Sequence, residues 1–248
     1  MTVRAVLRGA WRTARPLPGD RHGPLPPLLL ALTVASGMID AVSYLTLGHV
    51  FVANMTGNVV FLGFALAGAP GFSVAASLTA LTAFSLGALL GGRLLAELSH
   101  RGRALLRGAA TETLLLAAAA VLLTVEPVTT LGQSSSSRYL TIAVTAVAMG
   151  LQNAIVAVLS VPDLTTTVLT RTITGLFADP AGSGRWDEAT GRRLLSALTL
   201  GLGAVAGALL VLHTNQSASL AVPAALAAAV TVRALRSARS VAAWTRLG

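Results

Sequence analysis

The sequence predicts an all-α membrane protein. Six transmembrane helices are expected in two inverted three-helix repeats, each with an additional broken or re-entrant polar segment. Three observations carry that prediction. The 248 residues are 54% hydrophobic and only 11% charged, with a mean hydropathy of +0.75, whereas a soluble chain spends about a quarter of its residues on charged side chains. Long apolar stretches alternate with short arginine clusters, as in a chain that marks its cytoplasmic side. Related patterns also recur in the two halves, with Gly37 and Gly150 offset by 113 residues and Gly87 and Gly203 by 116.

The same composition excludes other classes. Disorder needs low hydrophobicity and high charge. The net charge of +9 is not a nucleic-acid footprint, because all 18 basic residues are Arg, gathered between apolar stretches, and aromatics are 4% of the chain. Without cysteine there are no disulfides, thiolate metal sites or Cys nucleophiles.

In chain order, residues 1–27 form a basic arm with Arg4, Arg8, Arg12, Arg15, Arg21 and Trp11, expected to stay cytoplasmic beside anionic lipid. It is not read as a secretory signal, since the following apolar stretch is too long and contains Asp40. Apolar segments follow at 28–47, 50–68, 73–95, 109–126, 139–160, 164–178, 194–213 and 219–235. They divide into a first repeat (28–126), an extracytoplasmic loop (127–138), a second repeat (139–235) and a basic tail (236–248). About 20 apolar residues are needed to cross the hydrocarbon core.

Two segments depart from ordinary spans. Asn54-Met55-Thr56-Gly57-Asn58 interrupts 50–68, and 164–178 is short, threonine-rich and carries Arg171. If neither fully crosses, six helices span. The clusters Arg93/Arg101/Arg103/Arg107, Arg185/Arg192/Arg193 and Arg233/Arg236/Arg239/Arg246 then all face the cytoplasm, with both termini. Eight crossings would put one cluster outside. Three spans per repeat make the halves inverted. The steps Gly87…Gly91 and Gly203…Gly207 read as close helix packing.

At Gly37-Met38-Ile39-Asp40-Ala41…Phe51-Val52-Ala53-Asn54-Met55-Thr56-Gly57-Asn58 the sequence resembles the YoaK family of bacterial polytopic membrane proteins, whose function is unassigned. Gly150-Leu151-Gln152-Asn153-Ala154 and Asp163-Leu164-Thr165-Thr166-Thr167 are similar to that family's second signature, and the resemblance covers about 28–235. It implies a polytopic protein of the bacterial inner membrane, and no substrate.

Polar groups at membrane depth are the candidates for chemistry. Asp40 reads either as a proton- or cation-coupling carboxylate or as a cap for the polar segment beside it. Asn153 occupies the equivalent place, as a ligand or as a bridge between helices. Asn54, Thr56, Gly57 and Asn58 break a span, and non-helical backbone at that depth is tolerated only where buried in protein or lining a cavity. Asp163 reads as an N-cap, with Thr165, Thr166 and Thr167 in the first turn offering N–H groups to a solute. Arg171 is an anion partner, a counter-ion to Asp40, or a snorkelling side chain. Glu112 reads as an interfacial ion pair just inside its span.

His22, His49, His100 and His213 are scattered and support no metal site. No phosphate loop, dinucleotide fingerprint, zincin or nucleophile-elbow motif occurs, so neither enzyme activity nor a cofactor is expected. The function expected is a small secondary transporter or permease for a small polar or anionic solute. It is expected to sit in the bilayer without nucleic acid, with proton coupling and a homo-oligomer left open. The alternatives are a membrane-embedded enzyme on a lipid-like substrate and a non-transporting scaffold subunit.

Overall fold

The computed structural model describes residues 3–17, 19–96, 98–125, 136–162, 164 and 186–246. Among them stand eight α-helices and a closing 3-10 turn. These are α1 (Val3–Ala14), α2 (Leu25–Thr46), α3 (Met55–Leu66), α4 (Val74–Ala96), α5 (Arg101–Val125), α6 (Ser136–Leu159), α7 (Trp186–His213) and α8 (Gln216–Ala238). Six of them, counting Thr190–His213 of α7, are long and apolar enough to cross a membrane. At 1.5 Å per residue the shortest, α2 with 22 residues, spans about 33 Å against a hydrocarbon core of about 30 Å. The 12 residues of α3 reach only about 18 Å and do not cross.

Helix boundaries follow local chemistry. Pro26 in the first turn of α2 loses nothing by lacking an N–H there. Beyond its end, Gly48 (φ 97°) and His49 (φ 53°) turn the chain through the left-handed region. Asn215 caps α8 by accepting from Ala218 N at 2.8 Å. The largest departure from expectation is α5. The sequence places its span at 109–126, but the helix begins at Arg101, so Arg101, Arg103 and Arg107 lie in its first two turns. Arg101 is buried and donates to the Leu159 carbonyl at the end of α6. Terminal helix carbonyls need such a donor, which gives the arginine a reason to be helical.

The segment between α2 and α4 enters and leaves at one end of the bundle. His49 Nδ1 lies 2.9 Å from the Gly71 carbonyl, joining the exit from α2 to the entry into α4. Tyr44, Phe51, Phe61 and Phe72 fasten the segment through ring contacts of 5.2–5.8 Å. This is the re-entrant element expected from Asn54–Asn58. Its counterpart expected at 164–178 lies, apart from Leu164, outside the described residues.

Three helix pairings dominate the packing, and two of them match. On α2, a Cβ at Gly37 would fall on the Leu200 carbonyl and Ala204 amide of α7, while Gly203 and Gly207 meet Val34 and Met38. On α6, a Cβ at Gly150 would fall on the Phe84 carbonyl and Ala88 amide of α4, while Gly87 and Gly91 meet Val147 and Leu151. These contacts correspond across the two crossings at the 113- and 116-residue offsets. In both, the residue numbers rise together, so the paired helices are parallel. Small residues let the backbones approach, which in lipid substitutes for a hydrophobic drive. Between the crossings α5 and α8 run antiparallel, Gly102 against Ser237 and Thr113 Oγ1 at 3.2 Å from Thr231 Oγ1.

Large apolar side chains face outward along both partners, among them Leu86, Leu89 and Leu90 on α4 and Leu202, Val205 and Leu209 on α7. Such faces suit lipid and would be a liability in water. The basic groups gather at one end. Burial first, then nearby Arg101 and Arg21, hold the His22 imidazole below its ordinary value, with Arg192 adding to the effect. His100 bridges to Arg246 at the same end. There α1 packs on the start of α7, Gly191 against Val6, Gly9 and Ala10, and turns Leu7, Trp11 and Arg8 outward. Arg138 stands near Gly48 at the opposite end.

Candidate functional site

Asp40 sits in the last two turns of α2, half-buried, where the returning segment passes it. Its Oδ1 accepts from the peptide N–H groups of Val52 at 3.1 Å and Ala53 at 2.8 Å. A carboxylate answering consecutive peptide donors forms charge-assisted bonds, stronger than neutral ones. Asp40 thus ties the non-helical segment 50–54 to α2, and α3 starts from that anchor at Met55.

Asn58 completes the turn from inside. It is fully buried, accepts from Phe51 N at 2.9 Å and donates through Nδ2 to Phe51 O at 2.5 Å. Both faces of its amide serve the backbone of the re-entrant turn. Gly57 leaves room for the Phe51 ring, which a Cβ there would meet. These residues make irregular backbone stable at membrane depth by answering its polar groups within the protein.

In front of this turn lies a cavity of about 930 Å³. Its polar lining comes from Asp40, Asn54, Thr56 and Gly57 on one side and Asn153 of α6 on the other. Its apolar lining includes Tyr44, Phe51, Phe84 and, from α7, Leu200 and Ala204. Asn54 and Thr56 are exposed. Asn54 caps α3 without a side-chain cap bond, so the first-turn N–H groups of α3 stand at the cavity. Asn153 Nδ2 donates to Met149 O at 2.9 Å within its own helix.

Of the residues singled out from sequence, the structure brings Asp40, Asn54, Thr56, Gly57 and Asn153 together. Asn58 stands behind them as a structural clamp rather than in the cavity wall. Asp163, Thr165, Thr166, Thr167 and Arg171 lie outside the described residues. Glu112 is a correction: it is fully buried near the middle of α5, and among the described residues neither carboxylate oxygen has an ion-pair or hydrogen-bond partner. The early start of α5 explains the difference, because the arginines taken for its flanking loop are part of the helix. Sequence reading also missed Tyr44, Phe84, Leu200 and Ala204; the small-residue spacing Gly37…Ala41 was the one signal available for that wall. Among the described residues no group of three His, Cys, Asp or Glu could hold a metal.

A family model described as Protein of unknown function (DUF1275) matches residues 28–233. The UPF0700 transmembrane protein YoaK of Bacillus subtilis (strain 168) is 33% identical over 155 residues, covering 62% of this chain and 67% of that protein. No solved structure matches. The matched stretch begins in α2 and ends in α8, and so contains all six long apolar helices, the re-entrant turn and the cavity. The chain is a multi-pass membrane protein of the DUF1275 family.

Proposed function

We propose that this protein is a small permease, a secondary transporter for a small polar or anionic solute in the bacterial inner membrane. The observation that carries the reading is the cavity of about 930 Å³, which is within the size of small-molecule sites, about 300–1,000 Å³. It joins broken backbone from one half of the chain to Asn153 of the other. Transporters bind at such junctions, where discontinuous helices present free N–H groups to a solute. Here Asn54, Thr56, Asn153 and the first turn of α3 supply donors and acceptors, and Asp40 positions the loop that carries them. The matched parallel crossings support an inverted repeat with a pseudo-two-fold axis in the membrane plane. The gathering of arginines at one end supports cytoplasmic termini.

A thermal-shift screen of the purified protein against small polar metabolites and inorganic anions tests this reading. At least one compound should raise the melting temperature of the wild type, and Asn153→Ala and Thr56→Val should each lose most of that rise. A panel with no stabilising compound, or a rise unchanged in both variants, would overturn it.

A further inference from the structure

Behind the cavity wall lies a second set of polar groups that the permease reading does not use. Ser36, Glu112 and Gln152 come from α2, α5 and α6, and all three are fully buried. Gln152 Nε2 donates to Ser36 Oγ at 2.7 Å, and Ser36 Oγ donates on to Leu32 O at 3.0 Å. That leaves Gln152 Oε1 without a donor, and both oxygens of Glu112 likewise.

The register brings these orphans to one level. Helices α5 and α6 run antiparallel, with Arg101 bonded to Leu159 and Gly108 packed on Ile155. One turn further along α5 is Glu112, and one turn back along α6 is Gln152. Glu112 also lies near the midpoint of the 25-residue α5, fully enclosed by protein, where an ionised side chain is costly.

The charged groups around it stand elsewhere. On α5 the nearest is Arg107, turned outward and exposed. On α8, Arg233 is exposed in a surface groove with Pro24 and Trp244. Arg93 of α4 and Arg138 and Tyr139 of α6 stand near helix ends, and Asp40 of α2 faces the cavity. Among the described residues a carboxylate at this position would have neither counter-ion nor donor, an arrangement that buried charge does not tolerate. A carboxylic acid would have a use for its proton, since Gln152 Oε1 is an acceptor in want of one.

We propose that Glu112 is an intramembrane proton-binding site, its carboxyl neutral at neutral pH and donating to Gln152 Oε1 while the Gln152 amide donates to Ser36. This stands on its own geometry and not on what the cavity carries. The site lies one residue behind the wall, because Gln152 shares the level of the acid while Asn153, its neighbour on α6, lines the cavity.

Infrared spectra of the full-length protein in lipid, recorded as a function of pH, test the proposal through the C=O stretch of a protonated carboxylic acid. The wild type should show this band at neutral pH. Glu112→Gln should remove the band and Asp40→Asn should leave it. Gln152→Leu should move it to higher frequency, as expected when a hydrogen bond to the acid is lost. A wild-type protein without the band at neutral pH would overturn the proposal, the amide then being rotated to donate to a carboxylate. A band that disappears with Asp40→Asn and survives Glu112→Gln, or that Gln152→Leu leaves unshifted, would overturn it too. The wild-type measurement depends on no variant folding.

Discussion

The two halves of the bundle cross their helices in the same way and differ in what they place beside the crossing. In the first half Gly37 lets α2 lie against α7, and three residues later Asp40 meets the peptide N–H groups of Val52 and Ala53. In the second half Gly150 lets α6 lie against α4, and three residues later Asn153 bonds back to Met149 of its own helix. The packing is common because close backbone approach leaves little latitude: a Cβ at either glycine would fall on a carbonyl oxygen across the interface. The polar residue varies because its partner varies. A charge stands where a turn of peptide donors can answer it, and an amide where one bond returns to its own helix.

The strongest break of this comparison is topological. If the halves are inverted, single cysteines at Ser99 and Ser183 should both react with a membrane-impermeant thiol reagent added from the cytoplasmic side and with none added outside. Labelling of Ser99→Cys from outside would remove the inversion altogether.

Next in size are the crossings. Gly37→Val and Gly150→Val each drive a branched side chain into opposing backbone, and each should cost about 3 kcal/mol or more, read as a matched fall in thermal stability in detergent. A large loss at one position with tolerance at the other would show that the crossings are alike in outline only.

The remaining pair of effects distinguishes the polar partners. Asp40→Ala removes two charge-assisted bonds, each about 1.5–3 kcal/mol, whereas Asn153→Ala removes a neutral one of about 1 kcal/mol. Amide exchange should separate them further, because Asp40→Ala should deprotect Val52 and Ala53 while Asn153→Ala leaves both protected. Equal deprotection in the two variants would mean that the re-entrant turn is held by the cavity as a whole.

Much of the architecture is legible in the sequence because lipid simplifies the problem. A span must be long, apolar and internally hydrogen-bonded, so segment lengths and arginine clusters report it directly. The break at Asn54–Asn58 is visible for the same reason, since amides and glycine inside a span require an explanation. The start of α5 was not legible. Arg101, Arg103 and Arg107 look like a loop when charge alone is counted, yet Arg101 is drawn into the helix by the open carbonyl at the end of α6. The same helix start places Glu112 near the middle of α5, buried and away from the helix end. Asn58 was legible as a polar group at depth but not as a clamp, because amide bonding depends on where Phe51 is brought by the turn.

By itself, then, the sequence determined that this chain is an all-helical membrane protein, that its halves repeat, and which few polar residues lie at membrane depth. These depend on composition and spacing, which act through transfer from water to lipid and need no knowledge of neighbours. The tertiary structure alone decided which of those groups share a cavity, which serve the backbone, and that Glu112 and Gln152 lie at one level behind the wall. Those outcomes depend on register between helices far apart in the chain, and a side chain's role follows from the donor or acceptor that packing brings within reach of it.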